Sequence, residues 1–217
     1  MRTYKIYLIR HGLTQGNVEG RYIGRTDLSL CEDGINEIKS LLNTSEYPNV
    51  GRVYSSPMLR CIETAQLIYP GFTPTLIDNL REYDFGEFEN KIITDLMQDE
   101  KYMQWMERSL KDGLKGAEKM PEFNQRILSG LEEIIMDMMK SKISDAALIT
   151  HGGVIMQLLA MCGIPKRKPT EWVVGNGKGY TILVNSSLWS NTKAVEVYTA
   201  VPYTNELIEH KAENEDE

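Results

Sequence analysis

The chain has 217 residues, of which 41% are hydrophobic and 8% aromatic, enough for one domain with a sizeable core. A formal net charge of −7 speaks against general nucleic-acid binding, so an anionic ligand would need a locally positive pocket in an acidic surface. Three separated cysteines (Cys31, Cys61 and Cys162) contain no CxxC pair, no stretch reaches membrane-span length and no signal-peptide core opens the chain.

A reducing cytoplasm is therefore the expected location, with no membrane or nucleic-acid partner. Residues 4–10 (YKIYLIR) read as a buried strand, followed by helical spacing at Ile35, Ile38, Leu41 and Leu42. GRVYSS (51–56) is a second strand. SSPMLRCIETAQLI (55–68) reads as a helix with Ser56 as N-cap and Pro57 at its first position. TPTLID (73–78) is a third strand. Residues 91–142 hold two helical patterns joined by the glycine- and lysine-rich KDGLKGAEKM, and read as an insertion that caps a site. In the second pattern Phe123, Ile127, Leu131, Ile134 and Met138 recur at three-to-four spacing, and Met136, Met138 and Met139 read as core filler. The alternation then resumes with the strand AALIT, the helix GGVIMQLLAMC and the strands GYTILVN and KAVEVYT. The expected fold is α/β, a three-layer α/β/α sandwich with a mostly parallel central sheet and a helical cap insertion. The domain would span residues 1–205, with the cap at about 91–142 and an acidic tail at 206–217.

Two strands end alike. YLIRHG and ALITHGG each place a histidine and then a glycine where strand gives way to loop and helix. Ligands of open α/β sheets bind at the carboxyl ends of parallel strands, so His11 and His151 can meet there. One such histidine alone would most simply be a hydrogen-bonded structural residue. Arg10 leaves the same tip, and Arg60 lies near the start of the SSPMLRC helix. Two guanidinium groups form a fork for phosphate oxygens, and a helix start favours anions. Either arginine by itself would read as a solvated surface residue.

LIRHGLTQGN, YSSPMLRCIETA, LREYDFGEFE and LITHGGV, in that order, resemble the histidine phosphatase superfamily, the phosphoglycerate-mutase-like group with the R-H-G signature. The resemblance covers residues 5 to about 185. It implies that His11 is the nucleophile that becomes phosphohistidine. Arg10, Arg60 and His151 would hold the phosphoryl oxygens, His151 as an imidazolium. Glu82 would protonate the leaving group. Asn17, Gly24, Arg21 and Gly152 would help bind the phosphate or the rest of the substrate. No metal or cofactor is implied, because the charges on the protein can neutralise the equatorial oxygens in line with general phosphoryl-transfer chemistry. Glu82 competes with a surface-glutamate reading, and Asp84 is the next candidate acid.

Departures from the family pattern are Leu13 for glutamate, Phe88 and Asn90 for tryptophan and glycine (read as a packing change), and Lys119 for serine. Glu118 and Arg126 keep the family's spacing. Lys119 can add charge at the pocket mouth or simply be solvated. Arg25, like Arg21, can meet substrate or pair with surface acids. GNGKGY fails the P-loop signature and reads as a turn, CGIPKRK fails a cysteine-phosphatase loop, and His210 has no assigned role. Three functions fit: a phosphomonoesterase on a small metabolite, most like the α-ribazole phosphatase branch; a phosphoglycerate mutase; and a non-catalytic phospholigand-binding module. The retention of Arg10, His11, Arg60, Glu82 and His151 favours an enzyme. The short span from Glu82 to His151 favours the phosphatase.

Overall fold

The computed structural model describes residues 3–107 and 114–204. Seven strands form one sheet: β1 (Thr3–Arg10), β2 (Arg52–Ser55), β3 (Thr75–Leu76), β4 (Asp145–Thr150), β5 (Gly163–Ile164), β6 (Gly179–Asn185) and β7 (Val195–Val201), in the order β3-β2-β4-β1-β6-β7-β5. The strands β3, β2, β4 and β1 run parallel, β6 is antiparallel to both its neighbours, and β5 pairs parallel with β7. The apolar run Ile6–Ile9 belongs to the central strand, which is buried on both faces.

Strand alternation divides the core in two. Ile6, Leu8, Tyr54, Ala146 and Leu148 face one way. Tyr7, Ile9, Val53, Ala147 and Ile149 face the other. The helices are α1 (Gln15–Val18), α2 (Glu32–Thr44), α3 (Leu59–Ile68), α4 (Ile93–Leu96), α5 (Glu100–Met106), α6 (Met120–Ser141), α7 (Gly152–Cys162) and α8 (Ser186–Thr192). The second face packs on α2 and α3 through Ile38, Cys61, Ala65 and Ile68. The first packs on α6 and α7 through Ile127, Leu131, Ile134, Ile155 and Leu158. That makes the three layers.

Two expectations need correction here. Residues 91–142 are not one cap: the apolar stripe of α6 lies in the main core, so α6 is a layer of the sandwich. Only α4 and α5 stand apart, in a satellite cluster of Phe88, Leu96, Tyr102 and Leu114. Met136 is 66% exposed, on the face of α6 opposite that stripe, while Met138 is buried. Residues 111–113 of the loop before α6 and the tail 206–217 lie outside the described residues.

Candidate active site

The pairing of β1 with β4 brings the two His-Gly tips together. Arg10 is in register with Thr150, so His11 and His151 follow side by side, with ring centroids 5.3 Å apart in an edge-to-face arrangement. The His11 N–H donates to Thr150 O at 2.9 Å, and the Gly12 N–H donates to Thr64 Oγ1 at 2.8 Å, which ties the tip to α3.

His11 is buried, and its Nδ1 lies 2.7 Å from Gly12 O. A carbonyl oxygen only accepts, so Nδ1 carries the proton and the lone pair resides on Nε2. Burial, then the positive field of Arg60, holds His11 well below the ordinary histidine value of 6.5, so the ring stays neutral. A neutral ring with its lone pair on Nε2 is the state a histidine nucleophile requires.

Arg10 donates Nη1–H to Val174 O at 2.8 Å, and its Nε is buried without a protein acceptor, open to an oxyanion in the adjoining cavity. Arg60 is fully buried. It donates to His151 Nδ1 at 3.3 Å, and to Thr26 O and Gly24 O at 2.9 Å each. Three of its five N–H donors are thus committed. Since His151 accepts at Nδ1, its Nε2–H donates to Ser56 Oγ at 2.8 Å. Burial and the charge of Arg60 hold His151 well below 6.5. His151 is therefore a neutral imidazole here, not the expected imidazolium.

Ser56, in turn, is not a helix cap. The helix α3 starts at Leu59 with Met58 as N-cap, and the Leu59 N–H is taken by Asp27 Oδ1 at 2.8 Å. Cys61 Sγ sits 3.6 Å from His151 Nε2, and burial pushes its thiol up to about 12.

Glu82 is buried beside them. Its Oε1 accepts from the Tyr83 N–H at 2.8 Å and its Oε2 from the Gly153 N–H at 2.9 Å. Desolvation raises its carboxyl above the ordinary 4.5, and this outweighs the lowering by those two N–H groups and by Arg60 and Arg10. A raised carboxyl pKa is the direction a leaving-group acid needs. Asp84 instead accepts from the Gly86 N–H and pairs with Arg25 at 3.5 Å.

A cavity of about 190 Å³ collects Arg10, His11, Asn17, Glu82, Gly152 and Gly153 at its polar end. Its outer wall is apolar, with Tyr22, Phe85, Met156 and Val173. Asn17 gives its amide oxygen to Thr14 in a capping box, which leaves the NH2 end for a ligand. Arg21 stands at the rim, paired with Glu19 at 2.5 Å and bonded to Asn90 O at 2.8 Å.

Arg60, His151 and Gly24 do not line the cavity. The Gly24 N–H is taken by Glu89 Oε1 at 2.8 Å and its carbonyl by Arg60, so Gly24 seats Arg60 rather than a phosphate. Lys119 is the exposed N-cap of α6, outside the cavity. Asn90 has φ of 63°, so the glycine-to-asparagine departure concerns backbone conformation, which asparagine tolerates, rather than packing.

Sequence reasoning passed over two features. The GNGK turn clamps the tip: Asn176 Nδ2–H donates to His11 O at 2.9 Å, and the Gly177 N–H donates to Arg10 O at 2.9 Å. Gly153 was not singled out, although its position after the His-Gly pair marks it. Among the described residues, no group of three His, Cys, Asp or Glu is placed to hold a metal ion, and no helix is long and apolar enough to cross a membrane.

Comparison with known proteins gives the kinship. A relative from Hydrogenobacter thermophilus named as a phosphoserine phosphatase is 29% identical over 161 residues, 72% of this chain and 77% of its own. The adenosylcobalamin/alpha-ribazole phosphatase of Escherichia coli is 26% identical over 208 residues, 90% of this chain and all of its own. A crystal structure of phosphoglycerate mutase from Thermus thermophilus superimposes with a TM-score of 0.66 at 28% identity, over 90% of this chain and 97% of that one. The model of the histidine phosphatase superfamily, branch 1, matches residues 6–195, and the chain belongs to that family.

Proposed function

We propose that this phosphatase is a metal-independent phosphomonoesterase that works through phosphohistidine on His11. The observation that carries the reading is the fixed tautomer of His11, with Nδ1–H held by Gly12 O, in a cavity it shares with Glu82. His11 Nε2 attacks phosphorus as the P–O bond to the leaving group breaks, and Glu82 gives its proton to the departing oxygen. Water then attacks phosphorus, the P–N bond breaks, and the Glu82 carboxylate takes the water's proton. Both residues return to their starting states.

Arg10 Nε and the Asn17 amide are placed to meet the phosphoryl group directly. Arg60 and His151 contribute from behind, through the two uncommitted donors of Arg60 and its charge. The partner is a small phosphate ester in a cytoplasmic setting. The apolar outer wall suits an uncharged organic leaving group, and an α-ribazole 5′-phosphate type of ester is the narrower reading, supported by the Escherichia coli relative.

The test is to quench turnover of labelled ester without acid and locate the label. Phosphate on His11, lost in His11→Ala, supports the mechanism; label on serine, cysteine or aspartate refutes it. With 3-phosphoglycerate and 2,3-bisphosphoglycerate, release of inorganic phosphate is expected. Rapid formation of 2-phosphoglycerate without release would make the mutase reading the better one. A panel of phosphometabolites ranked by kcat/KM, with phosphoserine included, tests the substrate.

A further inference from the structure

Arg126 lies on α6, outside the cavity lining, yet every one of its N–H donors is engaged. Nε–H and one Nη2–H form a fork on Glu118, to Oε1 at 2.6 Å and Oε2 at 2.8 Å. The Nη1 hydrogens go to Asn79 O at 2.8 Å and Arg81 O at 2.7 Å, and the second Nη2–H goes to Glu82 O at 2.9 Å. That makes five donors and five bonds, which is the full capacity of a guanidinium. Both side chains are largely buried, at 17% and 11% exposed.

Glu118 is fixed from its own backbone as well. Its N–H donates to Asp84 O at 3.1 Å and its carbonyl accepts from the Tyr83 hydroxyl. The segment from Asn79 to Asp84 has no regular structure beyond one short turn at Asp78–Leu80. It delivers Glu82 and depends on this clamp for its course. Gly130 on α6 allows the approach, since a Cβ there would stand 2.8 Å from Leu80 Cγ.

We propose that Glu118 and Arg126 are positioning residues for the leaving-group acid: they set the Glu82 carboxyl against the departing oxygen and take no part in holding phosphate. The proposal rests on Glu82 acting as that acid. A lysine at 126 keeps the charge but has three donors on one atom, and cannot fork onto Glu118 while reaching three carbonyls.

The test measures single-turnover phosphorylation of an alkyl phosphate and of p-nitrophenyl phosphate in wild type, Glu82→Gln, Arg126→Lys and Glu118→Gln, and in the double variant Glu82→Gln with Arg126→Lys. A displaced acid should cost about 10²-fold on the alkyl ester, which needs the proton. The p-nitrophenyl ester should change by about threefold or less, because its leaving group departs unprotonated. Vanadate inhibition should be unchanged. Adding Arg126→Lys to Glu82→Gln should slow the alkyl ester no further, since the clamp acts through Glu82.

Glu118→Gln keeps the side-chain shape but leaves Arg126 one acceptor in place of two, and serves if Arg126→Lys does not fold. Equal losses on both esters, or full additivity in the double variant, would mean a general structural role and overturn the proposal. Glu82→Gln alone separates the two ideas. If it shows no difference between the esters, the acid assignment fails and the proposal falls with it. If it shows the difference and the clamp variants do not, only the proposal fails.

Discussion

Gly153 donates its backbone N–H to Glu82 Oε2 at 2.9 Å, and a Cβ on Gly153 would stand 2.4 Å from Glu82 Oε1. The first turn of α7 therefore approaches the carboxyl so closely that only glycine fits without displacing it. The clash is with the end of a side chain, not with backbone, so the fold can absorb it by moving Glu82. Gly153→Ala should lower kcat for an alkyl phosphate by about 10–10²-fold, the scale of a misplaced catalytic group. Its melting temperature should stay within a few degrees of wild type, in keeping with a change below about 1 kcal/mol. An active Gly153→Ala enzyme would show that the Glu82 position seen here is not needed for turnover.

The buried ionisable groups give opposite pH dependences of stability. His11 and His151 are held below 6.5, so between their folded values and 6.5 the unfolded chain binds more protons than the folded one. Stability then rises with pH in that window and is lost as pH falls through it. Glu82 is raised above 4.5, so the folded chain keeps a proton that the unfolded chain has released. Its contribution is full below 4.5 and declines as pH rises through the folded value. Thermal melts should fall as pH is lowered from 7 towards 5, with a shallower fall in His151→Asn. Glu82→Gln should gain stability relative to wild type at pH 7 and lose that advantage at pH 4. Melts of wild type and His151→Asn that run parallel throughout would contradict the neutral buried His151.

In the proposed mechanism, charge on the transferring phosphoryl group would be met by Arg10 and, from behind, by Arg60, with no divalent ion in any step. Turnover should persist in saturating EDTA, and vanadate should inhibit by adopting the trigonal-bipyramidal geometry of in-line transfer. Activity lost in EDTA and restored by magnesium or zinc would point to a metallophosphatase.

What the sequence disclosed was set by which interactions are local. The tips of β1 and β4 were legible because a buried strand ending in His-Gly is a contiguous pattern, and pairing of the two strands needs no further information. Ser56 misled because a serine before proline is a good local cap, while its real partner, His151, is 95 residues away. The stripe of α6 showed that the helix buries one face but not which surface receives it, and so a sandwich layer read as a cap. Arg60 read as a surface residue or half of a phosphate fork, and its burial among the carbonyls of Gly24 and Thr26 was not legible in the spacing. The neutral state of His151 follows from its burial and from the neighbouring charge of Arg60, which no spacing encodes.

The GNGK turn is the clearest case of a segment whose local reading was correct and whose role was missed. Asn176 donates to the His11 carbonyl at 2.9 Å, and Gly177 and Lys178 bond the backbone of Arg10 on either side. Asn176→Ala removes one hydrogen bond to a buried carbonyl, a loss of about 1 kcal/mol that should appear as a modest fall in melting temperature. The nucleophile's main chain loses a restraint with it, so kcat should fall about tenfold, within the cost of an ångström-scale displacement, while KM changes little. Asn176→Asp should be worse on both counts. It places a carboxylate against the His11 carbonyl, where neither group can donate, and adds negative charge near the phosphate. Its KM should therefore rise as well as its kcat fall, and raising the ionic strength should recover part of the KM effect by screening. If alanine and aspartate at 176 behave alike, the Asn176 contact does not position His11, and the turn serves only to connect the short helical turn Pro169–Trp172 with β6.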